Sequence, residues 1–168
     1  DPIPPGWVSP NWVVGAAAIS GTLEGNTVNM TGGSVTSRLV GAWSPSTGSV
    51  FGNSVVVNSG SITGDGLVFG GYTQNGSASN NTVTINNGTL AGTVWGAYSR
   101  LSVSDNTATI NNGTINGAVF GAWTHFSIAS GNSAVINGGT IGNNVYGAYA
   151  SEGGNAISNT ATINGGTV

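Results

Sequence analysis

Few residues in this chain have types that could do acid–base chemistry or hold a cation: His125 and, beyond the N-terminal Asp1, the carboxylates Glu24, Asp65, Asp105 and Glu152. Glycan cleavage needs two carboxylates flanking the scissile bond, about 5–9.5 Å apart. A general base or a metal centre built on His125 needs acidic or cysteine neighbours. The segment around it, "WTHFS", supplies neither, and the chain has no cysteine, which excludes disulfides and thiolate metal sites. "GDG" at residues 64–66 resembles one fragment of calcium-binding repeats, but those place an Asp in every turn and this one does not recur. The "NGG" phrases lack the Lys and the following helix of a phosphate-binding loop and read as corners. No catalytic, cofactor-binding or metal-binding residue is assigned, no cofactor is implied, and the expectation is that the chain is not an enzyme.

Whether distant carboxylates meet depends on how the chain is organised, and its organisation is a repeat. Asn followed by Thr or Ser recurs at Asn26, Asn53, Asn81, Asn106, Asn132 and Asn159, at intervals of 25 to 28 residues. Each repeat opens with a phrase such as "NTVTI" or "NTATI", whose third and fifth positions are apolar and whose second and fourth are mostly polar. That is the period of a half-buried strand, with Val83 and Ile85 inward and Thr82 and Thr84 outward. An Asn–Gly corner follows, as at Asn86 to Gly88, where the backbone has to turn through conformations that Asn and Gly tolerate. A second strand starts at Val35, Ile62, Leu90, Ile115, Ile141 and Val168 and leads into "LVGAW", "VFGGY", "VWGAY", "VFGAW" and "VYGAY". The stretches after these vary in length and read as a loop side.

One such unit cannot bury its apolar face alone, so successive units must stack. The predicted fold is an all-β, right-handed parallel β-solenoid of about six coils. Each strand pairs with its counterpart one coil away, and an Asn column at the corners can form an amide ladder. Residues 1–25 read as a Pro-rich arm with a half-repeat, and residues 26–168 as solenoid coils ending in an incomplete one, together a single domain. In this frame Glu24 and Asp105 lie three coils apart, about 14 Å, which is too far for a catalytic pair.

Composition agrees with stacking. Charged residues are 4% of the chain against roughly 25% in ordinary domains, and columns of uncharged side chains stack without repulsion. Two cations, Arg38 and Arg100, cannot build the basic patch that nucleic acid requires. The longest apolar run, "WVVGAAAI", is far short of the ~18 residues of a membrane span. A start at "DPIPPGW" suits a processed secreted chain.

"NTVTINNGTLAGTVWGAY" and its copies resemble the repeats of bacterial autotransporter-type (type V secretion) passenger regions, over nearly all of residues 26–168. The resemblance implies a β-helical adhesin or surface-fibre protein, placed outside the cell or on the bacterial surface, with roles in adhesion and biofilm. It implies no catalytic residue, and the family's outer-membrane barrel is not in these 168 residues.

Two further features bear on partners. Phe69, Trp95, Phe120 and Tyr146 form one aromatic column, a candidate exposed ladder for lateral bundling or sugar stacking, and Trp43, Tyr72, Tyr98, Trp123 and Tyr149 form another three residues on. The "WVVGAAA" phrase near the N-terminus has no early phrase before it, and "NTATINGGTV" at the C-terminus has no late phrase after it. Complementary half-coils of this kind would let the chain polymerise head-to-tail through β-augmentation. The expected interface is Trp7, Trp12, Val13, Val14 and Gly15 on one side and Thr160, Ile163, Thr167 and Val168 on the other. The alternatives are an adhesin fragment that binds a glycan or host surface, and a threonine-faced ice-binding solenoid built on Thr82/Thr84, Thr107/Thr109 and Thr160/Thr162.

Overall fold

A computed structural model describes residues 8–9 and 11–168. The chain winds into a right-handed parallel β-solenoid of about six coils, and each coil adds one strand to each of four parallel sheets. Sheet I consists of Val8–Ser9, Ser34–Val35, Ser61–Ile62, Thr89–Leu90, Thr114–Ile115 and Thr140–Ile141. Sheet II, the longest, consists of Val13–Ala17, Arg38–Ser44, Leu67–Thr73, Val94–Ser99, Val119–Thr124 and Val145–Ala150. Sheet III consists of Thr22–Glu24, Ser49–Phe51, Ala78–Ser79, Val103–Ser104, Ile128–Ser130 and Asn155–Ile157. Sheet IV consists of Thr27–Met30, Ser54–Val57, Thr82–Ile85, Thr107–Ile110, Ser133–Ile136 and Thr160–Ile163.

The repeat phrase sets the register. Thr82 pairs with Thr107, Val83 with Ala108, Thr84 with Thr109 and Ile85 with Ile110, so like stacks on like. Val83, Ile85, Leu90 and Val94 are fully buried and join their equivalents in a continuous core bounded by sheets IV, I and II. A second, slimmer core of Val50, Ala78, Ala97, Val103, Ala122 and Ala129 lies between sheets II and III. Its small side chains keep those two sheets close.

Two strands and a variable loop per repeat were expected; four strands are found. The second expected strand is split between sheets I and II, and the variable stretch itself contains sheet III, for example Val103–Ser104 within "SRLSVSD". The corner from sheet III to sheet IV is occupied at every level by a residue of positive φ: Gly25, Gly52, Asn80, Asp105, Gly131 and Ser158. The next residue is always the Asn that anchors the repeat.

Those anchors form an internal amide ladder. Nδ2 of Asn26, Asn53, Asn81, Asn106 and Asn132 donates to Oδ1 of the Asn one coil later at 2.8–3.0 Å. The backbone N–H of each donates to the same oxygen. A second ladder runs along the surface at the corner between sheets IV and I, where Asn58, Asn86, Asn111, Asn137 and Asn164 each donate to the preceding coil at 2.8–2.9 Å. The first ladder donates toward the C-terminus and the second toward the N-terminus.

The two end faces differ. Met30 in the first coil is fully buried, whereas Ile163, its counterpart in the last, is 50% exposed. Residues 1–25, read from sequence as an arm with a half-repeat, contribute Val8–Ser9, Val13–Ala17 and Thr22–Glu24 to sheets I, II and III. Beyond the last strand of sheet IV, Thr167 forms a parallel bridge to Thr140 and so begins another level of sheet I. Trp7 and the whole "DPIPP" segment lie outside the described residues.

Candidate functional site

The aromatic columns occupy sheet II, and a glycine decides which way they point. Strict alternation would send residues three apart to opposite faces. In each long strand, however, the glycine and the residue after it both turn inward: Ala42, Ala97 and Ala122 belong to the inner core, and a Cβ on Gly70 would lie 2.7 Å from the Thr82 carbonyl across the solenoid. The bend carries both columns to the outside, where neither is part of either core.

The result is one aromatic surface two rings wide. Along the first column Phe69 stacks on Trp95 at 4.5 Å, Trp95 on Phe120 at 5.9 Å and Phe120 on Tyr146 at 4.8 Å, all within 9° of parallel. Across the columns Phe69 meets Tyr72 at 5.1 Å and Phe120 meets Trp123 at 5.2 Å. These rings cover one another so well that Phe69 and Phe120 are only 4% and 6% exposed, while Trp95 and Tyr146 are half-buried. The outer column is the more open one, with Tyr149 41% exposed. The indole N–H groups of Trp43, Trp95 and Trp123 are covered without a hydrogen-bond partner, a desolvation cost that the ring contacts have to outweigh.

At the N-terminal end of this surface the rings open into a groove of about 390 Å³, lined by Trp12, Trp43, Pro45, Tyr72, Gln74, Asn75 and Arg100. Trp12 packs edge-on against Trp43 at 5.0 Å, and the guanidinium of Arg38 lies 4.3 Å above the Trp12 ring while pairing with Asp65 at 3.3 Å. Gln74 donates to the Tyr72 hydroxyl at 2.5 Å. Burial, and then the neighbouring Tyr72, push the Tyr98 phenol above its usual range, against a smaller opposing pull from Arg100.

His125 sits beside this surface. Its Nε2 is 2.8 Å from the Tyr98 hydroxyl, and its Nδ1 is 3.2 Å from Ser151 Oγ and 3.8 Å from Glu152 Oε1. The acidic partner was invisible in sequence because it comes from the next coil. Hydroxyl and carboxylate share one ring nitrogen, whereas a relay to a serine nucleophile needs them on opposite nitrogens. Glu24, Asp65 and Asp105 stay on separate corners and strands, and among the described residues no three His, Cys, Asp or Glu gather as a metal site.

Val13, Val14 and Gly15 lie in the first strand of sheet II, with Val13 opposite Leu39 and Val14 opposite Val40. Thr160 and Ile163 lie in the last strand of sheet IV, and Val168 is 59% exposed beyond it. The outer face of sheet IV carries one unbroken hydroxyl column, Thr27, Ser54, Thr82, Thr107, Ser133 and Thr160, beside a mixed one of Asn29, Val56, Thr84, Thr109, Val135 and Thr162. Sequence reasoning missed a buried hydroxyl column at the end of sheet II. There Thr73 Oγ1 donates to Gly48 O, Ser99 Oγ to Gly76 O and Thr124 Oγ1 to Leu101 O, each reaching one coil back. Periodicity reads such residues as surface polar positions.

No protein-family model matches the chain, and no curated protein and no solved structure is significantly similar to it. The likeness to autotransporter-type passengers therefore rests on the repeat phrase alone. Among the described residues no helix is long and apolar enough to cross a membrane.

Proposed function

We propose that this chain is a non-enzymatic structural protein, secreted or held at a bacterial surface, whose coils stack head-to-tail between copies into filaments. The observation that supports this reading is that the stack can continue itself: like residues pair with like from coil to coil in parallel register, and the two amide ladders give it a fixed polarity. Among the described residues Ile163 is half exposed, the last strands of sheets II, III and IV have no partner on their outer edge, and Asn159 is the one internal-ladder Asn whose backbone N–H has no Asn oxygen ahead of it. Open parallel edges are templates for another strand of the same direction. Ladder polarity selects the orientation. Asn159 offers donors to a following coil and Asn164 Oδ1 offers an acceptor, which a first coil carrying Asn26 Oδ1 and Asn29 Nδ2 complements; two C-terminal faces together would set donor against donor.

Thr167 pairs with Thr140 as Val8 pairs with Ser34, so residues 167–168 and residues 8–9 claim the same level of sheet I in a stack. Residues 13–17 have no such duplicate among the described residues, and in the proposed stack they form the next strand of sheet II.

Electron microscopy of the purified chain tests the reading. Filaments with an axial repeat of about 25–30 Å per subunit are expected, six coils at strand spacing. Deleting residues 1–10 should leave them, while deleting residues 1–17, or placing a charge at the exposed position with Ile163→Asp, should leave folded monomers. Monomers of the intact chain at every concentration, or filaments unaffected by Ile163→Asp, would overturn the proposal.

A further inference from the structure

The groove at the N-terminal end of the aromatic surface has the chemistry of a ligand site, and the geometry points to an acidic saccharide, a uronic acid oligomer, as what it takes. Its volume of about 390 Å³ falls within the roughly 300–1,000 Å³ of small-molecule sites. Trp12, Trp43 and Tyr72 present ring surfaces, and Gln74 and Asn75 add amide groups that can both donate and accept. A pyranose ring combines an apolar C–H face with a rim of hydroxyls, so rigid aromatic walls and adaptable amides suit it together.

Charge narrows the class. Among the described residues Arg38 pairs with Asp65, and His125, when protonated, with Glu152; Arg100 is in neither pair, and its guanidinium is held only by the uncharged Tyr98 hydroxyl. Arg100 faces the groove, and among the described residues no carboxylate lines it. A guanidinium presents a planar fork that matches a carboxylate with two parallel hydrogen bonds. One such cation in an otherwise neutral, aromatic groove fits one carboxylated sugar ring. It does not fit a polyphosphate or a nucleic acid, which would need several cations. Arg38 is not available for the role, because Asp65 and the Trp12 ring already hold it. The site does not depend on filament formation, since all seven lining residues belong to one chain.

Titration of the full chain with a galacturonic acid tetramer, followed by tryptophan fluorescence, tests this because two indoles line the groove. A saturable change is expected, weakened at least about tenfold by methyl-esterifying the sugar carboxylates, by Arg100→Gln and by raised salt. Tyr72→Ala should weaken binding of the ester and the acid alike, with circular dichroism confirming that the coil is intact. No saturable signal, equal binding of the ester, or undiminished binding by Arg100→Gln would overturn the inference. A glutamate oligomer that binds as tightly as the uronate would also overturn it, by showing that charge alone is recognised.

Discussion

Replacing Asn106 with alanine is expected to destabilise the solenoid by about 3–5 kcal/mol, whereas Asn111→Ala, five residues on, should cost under about 1 kcal/mol. Both side chains belong to amide ladders, and the difference between them is water. Asn106 is fully buried: Oδ1 accepts from the backbone N–H of Asn81 at 2.9 Å and from its Nδ2 at 3.0 Å, while Nδ2 donates to Asn132 at 2.9 Å and to the Ala78 carbonyl at 3.0 Å. Alanine strands the Asn81 N–H without an acceptor and leaves a cavity where no water is at hand. Asn111 donates to Asn86 at 2.8 Å on an exposed corner, and solvent replaces that bond once it is lost. Equilibrium denaturation in urea, comparing midpoints at constant slope, reads the difference. A loss below about 1 kcal/mol for Asn106→Ala would show that packing, not the ladder, sets the spacing of the coils.

Asn106→Asp sharpens the same test. A carboxylate at this position would face Asn132 Oδ1, an acceptor that needs a donor, in a site closed to solvent. Burial and the facing oxygen both disfavour the anion, so the folded-state pKa rises above the unfolded one. The folded form then holds the proton more tightly than the unfolded form does, and the penalty shrinks as pH falls toward the ordinary Asp range. The variant should therefore gain stability relative to the parent on acidification. No change in the gap between them would mean that the carboxylate has reached solvent.

The part of this architecture written in the chain is whatever repeats with a side chain attached. The anchor Asn recurs at all six levels, and the alternation in "NTVTI" assigns Val83 and Ile85 to the core without ambiguity. Sheet III was unreadable for the opposite reason. Its strands are two or three residues long and place one small apolar residue inward, Val50, Ala78, Val103 or Ala129, amid segments of differing length and composition. A single inward Ala has no periodicity to detect, and the pairing that makes it a strand comes wholly from the coils above and below. The aromatic columns failed differently: their spacing was plain, but alternation cannot tell which face they share when a glycine lets two successive residues turn inward. His125 and Glu152 are a third case, since residues one coil apart are neighbours in space and strangers in sequence.

That glycine bend is the second place where one atom should have a large effect. Gly121→Ala is expected to cost roughly 3 kcal/mol or more, at the upper end of what overpacking produces. The added Cβ would lie 2.2 Å from the Gly147 carbonyl oxygen and 2.6 Å from both N and C of Ser133. All of these are backbone atoms, so no rotamer change relieves the contact, and sheets II and IV must part or the ladder to the next coil must break. Gly121 is not among the positive-φ glycines, so the cost is steric rather than conformational. Gly153→Ala is the matching control, since Gly153 has a φ of +90° with open space around it and should cost only about 1–2 kcal/mol through its backbone conformation. The bend at Gly121 also holds Phe120 and Trp123 on one surface with centroids 5.2 Å apart. Near-ultraviolet circular dichroism should accordingly lose aromatic intensity in Gly121→Ala and keep it in Gly153→Ala. Unchanged spectra and an unchanged midpoint in Gly121→Ala would mean that the aromatic surface is held by its own stacking, with the close approach of sheets II and IV a consequence of it.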